Sequence, residues 1–308
     1  MRIFGRFLPV LLFGMLVLGL TIPASAQFGN FGGLKGAEPP AWSVGQSATY
    51  SVKISDFPGS KGDITATIRV ALVGKEIIEG QEFHWLEIDI SDMKGIPEEM
   101  GMPYKVIKVK NLTKDPKATL PETDAEKLTK KIVFQLDDQT PKEIDFMTIQ
   151  NMAQGLTGQD PQLKDVKPKV ETKTGKETVT VKAGKFKDAP FLWFKAGEDS
   201  KGVKNLKIVL ESYVSFKNGD KSGTAEGTVH FDSKVPLFSL LKMATTVSYA
   251  TVKEPLNIKI GMELTDYKMN GAMSLIKGEP KECDIFELMS ILQGGMPGEV
   301  ENPEKNGK

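Results

Sequence analysis

The amino-acid sequence predicts a mainly β protein in which a curled antiparallel sheet, an incomplete β-barrel, packs on two or so apolar helices. Three observations support this prediction: long segments in which apolar and polar residues alternate, turn signals between those segments, and two segments with helical apolar spacing. Alternation of this kind is typical of antiparallel strands with one buried face. Because a large sheet tends to curl and apolar helices need a cover, sheet and helices together make an economical fold.

Segments with period-two alternation predict roughly nine to eleven strands in the chain. The clearest of these segments are residues 64–73, 86–90, 206–216 and 256–264. Turn signals lie between the segments, at Pro58-Gly59, Glu79-Gly80 and Asn218-Gly219-Asp220. The Asn-Gly pair is the strongest hairpin signal, because both residues tolerate a positive φ. We therefore predict a meandering antiparallel sheet.

Two segments have the apolar spacing of a helix rather than a strand. They span residues 140–156 and 284–292. Each begins with a capping signature, in which a polar cap residue is followed three positions later by Glu. The signatures are Thr140-Pro141-Lys142-Glu143 in the first segment and Asp284 with Glu287 in the second. Both predicted helices are apolar around much of their circumference, so both are expected to be largely covered.

The N-terminus has the pattern of a cleavable secretory signal. A short basic start that contains Arg2 and Arg6 precedes an almost wholly apolar run, and the residues before Gln27 form an Ala-x-Ala site. We predict a signal peptide over residues 1–26, cleavage after Ala26, and a mature chain that is exported to the periplasm or secreted. A retained membrane anchor is the alternative, although the apolar run falls short of the roughly 20 residues that a span requires.

The mature chain divides into three parts by composition. Residues 27–40 are Gly-rich and predict a flexible leader, whereas residues 294–308 are polar and predict a disordered tail. We predict a single β-rich domain over residues 41–293, because no Pro/Gly-rich linker interrupts that span for long. No segment after the signal is long and apolar enough to cross a bilayer, so the mature chain is not expected to span a membrane.

Charge and cysteine content exclude two classes of protein. The 40 Lys and Arg residues balance the 40 Asp and Glu residues, and loss of Arg2 and Arg6 with the signal leaves a small negative net charge. Such a chain lacks the basic face that nucleic acid requires. Cys283 is the single cysteine, so no internal disulfide can form and stability must come from the core.

The sequence offers no convincing catalytic or metal site. His84 and His230 are the two histidines, and they lie in separate strand-like segments without a companion ligand at metal-binding spacing. The sequence has no nucleophile-elbow, phosphate-binding or dinucleotide-binding motif. We therefore predict that the protein is not an enzyme and that it uses no cofactor and no metal, with a carboxylate hydrolase as the remaining alternative.

An aromatic hairpin occupies residues 178–195, TVTVKAGKFKDAPFLWFK, where a strand turns through Ala183-Gly184 and continues into Phe186 and a Phe-Leu-Trp-Phe run. This hairpin resembles one found in the periplasmic lipoprotein-sorting superfamily, the carriers and receptors of the LolA and LolB type. Two further motifs are similar to that superfamily, WSVGQSATY at residues 42–50 and SKVPLFSLLKM at residues 233–243.

The resemblance covers about residues 42–56 and 176–267. It implies an incomplete β-barrel closed by helices, with an apolar hollow that accepts acyl chains in the carriers. Methionine side chains are flexible and suit an adaptable lining, and aromatic side chains offer large apolar surface. The candidate ligand-binding residues are Phe186, Phe191, Trp193, Met147, Met152 and Met262. The alternative for each of them is ordinary core packing.

Two functions follow from these predictions. In the first, the protein binds lipid or lipoprotein acyl chains in an apolar hollow between sheet and helices, as in lipoprotein sorting or transport in the cell envelope. In the second, it is a non-enzymatic adaptor or structural module that binds another envelope protein. A closed cavity would favour the first function, and an exposed apolar patch would favour the second.

Overall fold

The computed structural model describes residues 37–38, 40–97, 104–113, 129–145, 170–197, 214–215, 223–284 and 287. Twelve strands lie within these residues, and all of them belong to one sheet. The strands are β1 (Ser47–Ser55), β2 (Ile64–Ile78), β3 (Gln81–Lys94), β4 (Ile107–Thr113), β5 (Thr129–Leu136), β6 (Lys142–Asp145), β7 (Val170–Val181), β8 (Gly184–Ala196), β9 (Thr224–Phe231), β10 (Leu240–Tyr249), β11 (Leu256–Lys268) and β12 (Lys281–Glu282).

The strand order across the sheet is β12-β6-β5-β4-β3-β2-β1-β11-β10-β9-β8-β7. Neighbouring strands run antiparallel, except that β12 pairs with β6 in parallel. The described strands form an open sheet, because β12 and β7 lie at its two ends and do not pair. The prediction of a mainly antiparallel β fold is confirmed, and within the described residues the sheet is not closed into a barrel.

The sheet curls strongly at its β7 end. Four steps separate β7 from β11 in the strand order, which would place them about 19 Å apart in a flat sheet. The turn after β7 nevertheless lies against β11, where the Ala183 amide donates to the Leu264 carbonyl oxygen at 3.3 Å. The Lys182 amide also donates to Glu263 Oε1 at 2.9 Å. These contacts occur where the pairing of β11 with β10 ends, at Glu263.

The predicted turn at Glu79-Gly80 is confirmed as a two-residue connection between β2 and β3. Glu79 has a φ of 52° and Gly80 has a φ of 75°. Two successive residues with positive φ match the right-handed twist of the flanking strands, as in a type I′ hairpin. The predicted turn at Pro58-Gly59 is also present, between β1 and β2.

Gly95, directly after β3, is a position at which only glycine fits. It has a φ of 74°, and a Cβ atom there would overlap the carbonyl oxygen of Asp63. We expect Gly95→Ala to lower the free energy of unfolding by about 2–3 kcal/mol, since the change combines backbone strain with a steric clash. Urea denaturation measures this loss, and Gly80→Ala is the control, because Gly80 also has positive φ but faces open space. Equal losses for the two variants would contradict the clash.

The first predicted helix is wrong at its start. Lys142–Asp145 is strand β6, which pairs with β5 and places Ile144 opposite Ile132. Ile144 is buried while its neighbours are more exposed, so four residues already show strand alternation. The capping signature is a local preference of about 1 kcal/mol, and pairing at the edge of a large sheet outweighs it. The rest of this predicted helix, residues 146–156, lies outside the described residues.

Of the second predicted helix, the structure describes the capping contact. The Glu287 amide donates to Asp284 Oδ1 at 2.7 Å, which is the hydrogen bond expected of an N-cap. The remainder of that helix lies outside the described residues, as do most of the predicted strand over residues 206–216 and the Asn218-Gly219-Asp220 hairpin. Within the described part of the chain, no helix packs on the sheet, so the predicted packing of sheet on helices stays a prediction.

In the described residues, no helix is long and apolar enough to cross a membrane. The signal peptide, the tail and nearly all of the leader predicted above lie outside those residues. The predicted division into these parts and one domain stays a prediction.

Opposite faces of the sheet differ in chemistry. Alternate residues of β1–β11 point into a main apolar cluster, which defines the apolar face. A smaller cluster lies beside it and contains Phe57, Ile64, Ala225, Val247, Tyr249 and Ile258. The intervening residues of β2, β3 and β5 include Arg69, Glu87 and Gln135, which define the polar face.

An extended segment after β11 crosses the polar face, and we call residues 270–283 the strap. The start of the strap is held by the loop that precedes β1, where the Ala272 amide donates to the Gly45 carbonyl oxygen at 2.8 Å. Its middle contacts the polar face, since Gln135 Oε1 accepts from the Lys277 amide at 3.2 Å. Its end adds β12 to the sheet edge, and the Cys283 amide donates to the Glu143 carbonyl oxygen at 2.8 Å.

Candidate functional site on the apolar face of the sheet

Rows of cross-strand neighbours build the apolar face. One row runs over six strands through Leu264, Tyr50, Ile68, Ile90, Ile107 and Leu136, each opposite the next. A second row runs over five strands through Leu72, Leu86, Asn111, Ile132 and Ile144. Every residue in both rows is buried. Each row is aliphatic apart from one polar residue, which is Tyr50 in the first and Asn111 in the second.

Tyr50 lies near the middle of the sheet, on β1 between β11 and β2. It is fully buried, and its hydroxyl has no hydrogen-bond partner among the residues that the structure describes. A register shift between Thr49 and Tyr50 marks a β-bulge, a feature that redirects side chains. Burial raises the pKa of Tyr50 well above its ordinary value of about 10. The hydroxyl is therefore neutral and can donate a hydrogen bond.

Asn111 lies on β4 between Leu86 and Ile132. Its side chain is 6% exposed, and Oδ1 has no partner within the described part of the chain. A buried polar group without a hydrogen bond costs about 1–3 kcal/mol relative to one that is satisfied. Tyr50 and Asn111 are thus two uncompensated polar groups on the apolar face. His84, two positions before Leu86 on β3, brings a third polar side chain to that face, and its Nδ1 also has no partner among the described residues.

Two of the six predicted site residues belong to the main apolar cluster. Phe186 is 8% exposed, and its ring centroid lies 6.5 Å from that of Tyr267. Met262 is buried on β11 and pairs with Val52 and Met243. The structure brings Phe186 and Met262 to the same interior. Met147 and Met152 lie outside the described residues.

Phe191 and Trp193 do not belong to that cluster, although they lie on the same strand as Phe186. Phe191 covers the edge strand, because a Cβ atom on Gly175 would come within 2.6 Å of its ring. Trp193 is half-buried, with the Lys173 ammonium 4.8 Å from its ring centroid. Its indole N–H donates to Glu226 Oε1 at 3.3 Å. Both residues thus have local packing partners in the hairpin and β9.

The two histidines are far apart in the sheet, on β3 and β9. His84 Nε2 lies 3.3 Å from Glu82 Oε1, and His230 Nε2 lies 2.6 Å from Glu177 Oε1. Each Nδ1 is buried and has no partner among the described residues. Within those residues no group of three or more metal-ligating side chains comes together.

The polar face holds a buried ion pair beneath the strap. Glu87 is fully buried and accepts from Arg69 Nη1 at 3.2 Å. The Ser274 hydroxyl and the Leu275 amide of the strap also donate to Glu87, the amide at 2.8 Å. The Arg69 Nη2 atom donates to the Met273 carbonyl oxygen at 2.8 Å. Arg69 and Glu87 thus pair with each other and with the strap, so this ion pair attaches the strap to the polar face.

Tyr50 and Asn111 were not among the site residues predicted from the sequence. A signal for both was present in the alternation, because Asn111 follows Ile107 and Val109 at the apolar positions of its strand. Tyr50 likewise stands between Ala48 and Val52. A polar residue at an apolar position of a strand is the pattern that would have found them.

No family model matches the chain, and no curated protein matches it. Solved structures with a similar course of the chain include a candidate lipoprotein from Parabacteroides distasonis, 11% identical over 76% of this chain and 98% of its own, with a TM-score of 0.29. LprF from Mycobacterium bovis is 10% identical over 75% of this chain and 90% of its own, with a TM-score of 0.22. A DUF1329 family protein from Desulfovibrio piger is 7% identical over 74% of this chain and 87% of its own, with a TM-score of 0.25.

Proposed function

We propose that this protein is an exported, non-enzymatic envelope protein that binds acyl chains of lipids or lipoproteins against the apolar face of its sheet. The observation that supports binding is the pair of uncompensated polar groups, Tyr50 and Asn111, on that face. Most buried polar groups in native proteins are hydrogen-bonded, so unsatisfied groups on an apolar face need an explanation, and a ligand that supplies the missing hydrogen bonds is one. The pattern of a secretory signal and the resemblance to lipoprotein carriers agree with this function.

The size of the apolar face suits a long chain. The row through Tyr50 crosses six strands, and neighbouring strands lie about 4.8 Å apart, so the row is roughly 24 Å long before curling. Burial of each methylene group contributes about 0.8 kcal/mol, from which the cost of ordering the ligand must be subtracted. A chain of ten or more methylenes is then expected to bind at micromolar concentration, about −8 kcal/mol.

The test is a titration with diphenylhexatriene, an apolar dye that fluoresces in apolar surroundings and has no hydrogen-bonding group. We expect a saturable increase in fluorescence with a micromolar Kd, because the dye probes the apolar face alone. A long-chain monoacylglycerol should displace it. Protein that is folded by circular dichroism and gives no saturable signal would contradict acyl-chain binding.

An adaptor function is the second candidate, and the outer edge of the sheet favours it. β7 pairs with β8 alone among the described strands, and nine of its twelve residues, VETKTGKETVTV, are exposed. An exposed strand edge can add a strand from a partner. However, charged side chains discourage association at strand edges. The charged residues of β7, which include Lys173, Lys176 and its glutamates, therefore oppose such pairing.

A further inference from the structure

We propose that the ligand's polar group is uncharged, an ester or alcohol rather than a carboxylate, and that Tyr50 and Asn111 bind such groups within the apolar face. This inference rests on the proposed function and specifies its ligand class. The polar anchors are single buried atoms, the Tyr50 hydroxyl oxygen and Asn111 Oδ1, neither of which has a partner among the described residues.

Charge is scarce on the apolar face. The buried Lys, Arg, His, Asp and Glu residues that the structure describes are His84, Glu87, Asp89 and His230. His84 stands on the apolar face at the far end of β3 from Ile90, and its Nε2 lies 3.3 Å from Glu82 Oε1. The buried acids Glu87 and Asp89 occupy the alternate positions of β3 and so face the other side of the sheet. Arg69, on that same side, is paired with Glu87. A ligand carboxylate beside Tyr50 would therefore be buried without a counterion from the described residues, which is far more costly than burial of a neutral polar group.

The two anchors differ in hydrogen-bond direction. Tyr50 keeps its proton, because burial opposes ionisation, so its hydroxyl donates to an acceptor such as an ester carbonyl oxygen. Asn111 Oδ1 is an acceptor and is satisfied by a donor such as an alcohol hydroxyl. An ester suits the first anchor and an alcohol suits the second, and neither group carries a charge. A fatty acid carboxylate accepts hydrogen bonds only, so it cannot satisfy Asn111 Oδ1.

The two anchors are far apart on the sheet. Tyr50 and Asn111 lie on β1 and β4, with β2 and β3 between them, and their rows are four residues apart along β2, at Ile68 and Leu72. In a flat sheet this places the two residues about 20 Å apart. One small headgroup cannot contact both, so the two residues are separate anchors, one for an acceptor and one for a donor.

The experiment compares ligands of equal chain length on the full mature protein: a monoacylglycerol, a fatty alcohol and a fatty acid at pH 8, each measured by displacement of diphenylhexatriene. We expect the monoacylglycerol to bind at least about tenfold more tightly than the carboxylate, the factor that corresponds to one hydrogen bond. Equal or tighter binding of the carboxylate overturns the proposal. This comparison uses no variant, so it does not depend on the folding of one.

Variants then test each anchor. Tyr50→Phe should weaken monoacylglycerol binding about tenfold, and Asn111→Leu should weaken binding of the fatty alcohol by a similar factor. Tyr267→Phe is the matched control, since its ring contacts the same cluster through Phe186, and we expect it to leave both affinities unchanged. Wild-type affinity of both anchor variants for their ligands overturns the proposal.

Binding of diphenylhexatriene separates this inference from the proposed function. If the dye binds to the wild-type protein and the ligand preferences are absent, the uncharged ligand class is wrong and acyl-chain binding stands. If the dye does not bind to the folded wild-type protein, acyl-chain binding itself is wrong.

Discussion

We expect Glu87→Ala to lower the free energy of unfolding by about 3–5 kcal/mol, the loss typical of breaking a buried ion pair from one side. Glu87 is fully buried and accepts hydrogen bonds from the Arg69 guanidinium and from the strap at Ser274 and Leu275. Its removal leaves the largely buried Arg69 guanidinium without the Glu87 carboxylate. It also leaves the Ser274 hydroxyl and the Leu275 amide of the strap without their acceptor. Urea denaturation followed by circular dichroism measures the loss.

Two controls identify the cause of that loss. Glu87→Gln keeps an oxygen that can accept from the Leu275 amide but removes the charge, so we expect a smaller loss than for Glu87→Ala. Glu82 lies on the same strand as Glu87 and is an exposed partner of Lys75 and of His84. We expect Glu82→Ala to cost much less than Glu87→Ala, because exposed ion pairs contribute little. If Glu87→Ala destabilises no more than Glu82→Ala, the strap is not held by the buried pair.

Phe186→Ala should lower the free energy of unfolding by about 3–5 kcal/mol, as expected for truncation of a buried aromatic side chain. Phe186 is buried in the main cluster against Tyr267, on the part of the hairpin that lies against β11. Trp193→Ala should cost about 1 kcal/mol, because Trp193 is half-buried and has one cation–π and one hydrogen-bonded partner.

The same pair of variants tests which end of the aromatic hairpin faces the interior. Thermal and urea unfolding give the two stabilities, and diphenylhexatriene binding gives the ligand response at temperatures where both variants are folded. We expect Phe186→Ala to change dye binding and Trp193→Ala to leave it unchanged. A larger loss of stability or of dye binding for Trp193→Ala would show that the Trp193 end of the hairpin faces the interior instead.

The strands were predictable where alternation was long and two-faced. The segments at residues 64–73, 86–90 and 256–264 lie within β2, β3 and β11, because an apolar residue at every second position can be buried on one face only by a strand. The start of the predicted helix at Thr140 failed for the opposite reason. A cap residue and a proline favour only the first turn of a helix. Pairing with β5 instead gives each residue of Lys142–Asp145 a cross-strand partner.

The sequence predicted that the aromatic hairpin contributes to the candidate site, but it did not predict which side chains of the hairpin face the interior. The aromatic hairpin was recognisable, but a bulge interrupts its alternation. Asp188 has a φ of 52°, and the pairing with β7 shifts between Glu177 and Val179. The shift places an extra residue in β8 between Phe186 and Trp193, so the two-residue period of a strand does not by itself give the face of each side chain.

The amino-acid sequence alone gives the apolar residues of each strand, the positions of the tight turns, and the absence of any internal disulfide. The order of the strands, the contact of the β7–β8 turn with β11, and the crossing of the strap were decided by the tertiary structure. The physical reason is that alternation is a property of neighbouring residues, whereas burial and hydrogen-bond satisfaction depend on partners that are distant in the chain. Tyr50 and Asn111 became notable for this reason, since only their cross-strand neighbours show that two polar groups lie among aliphatic side chains.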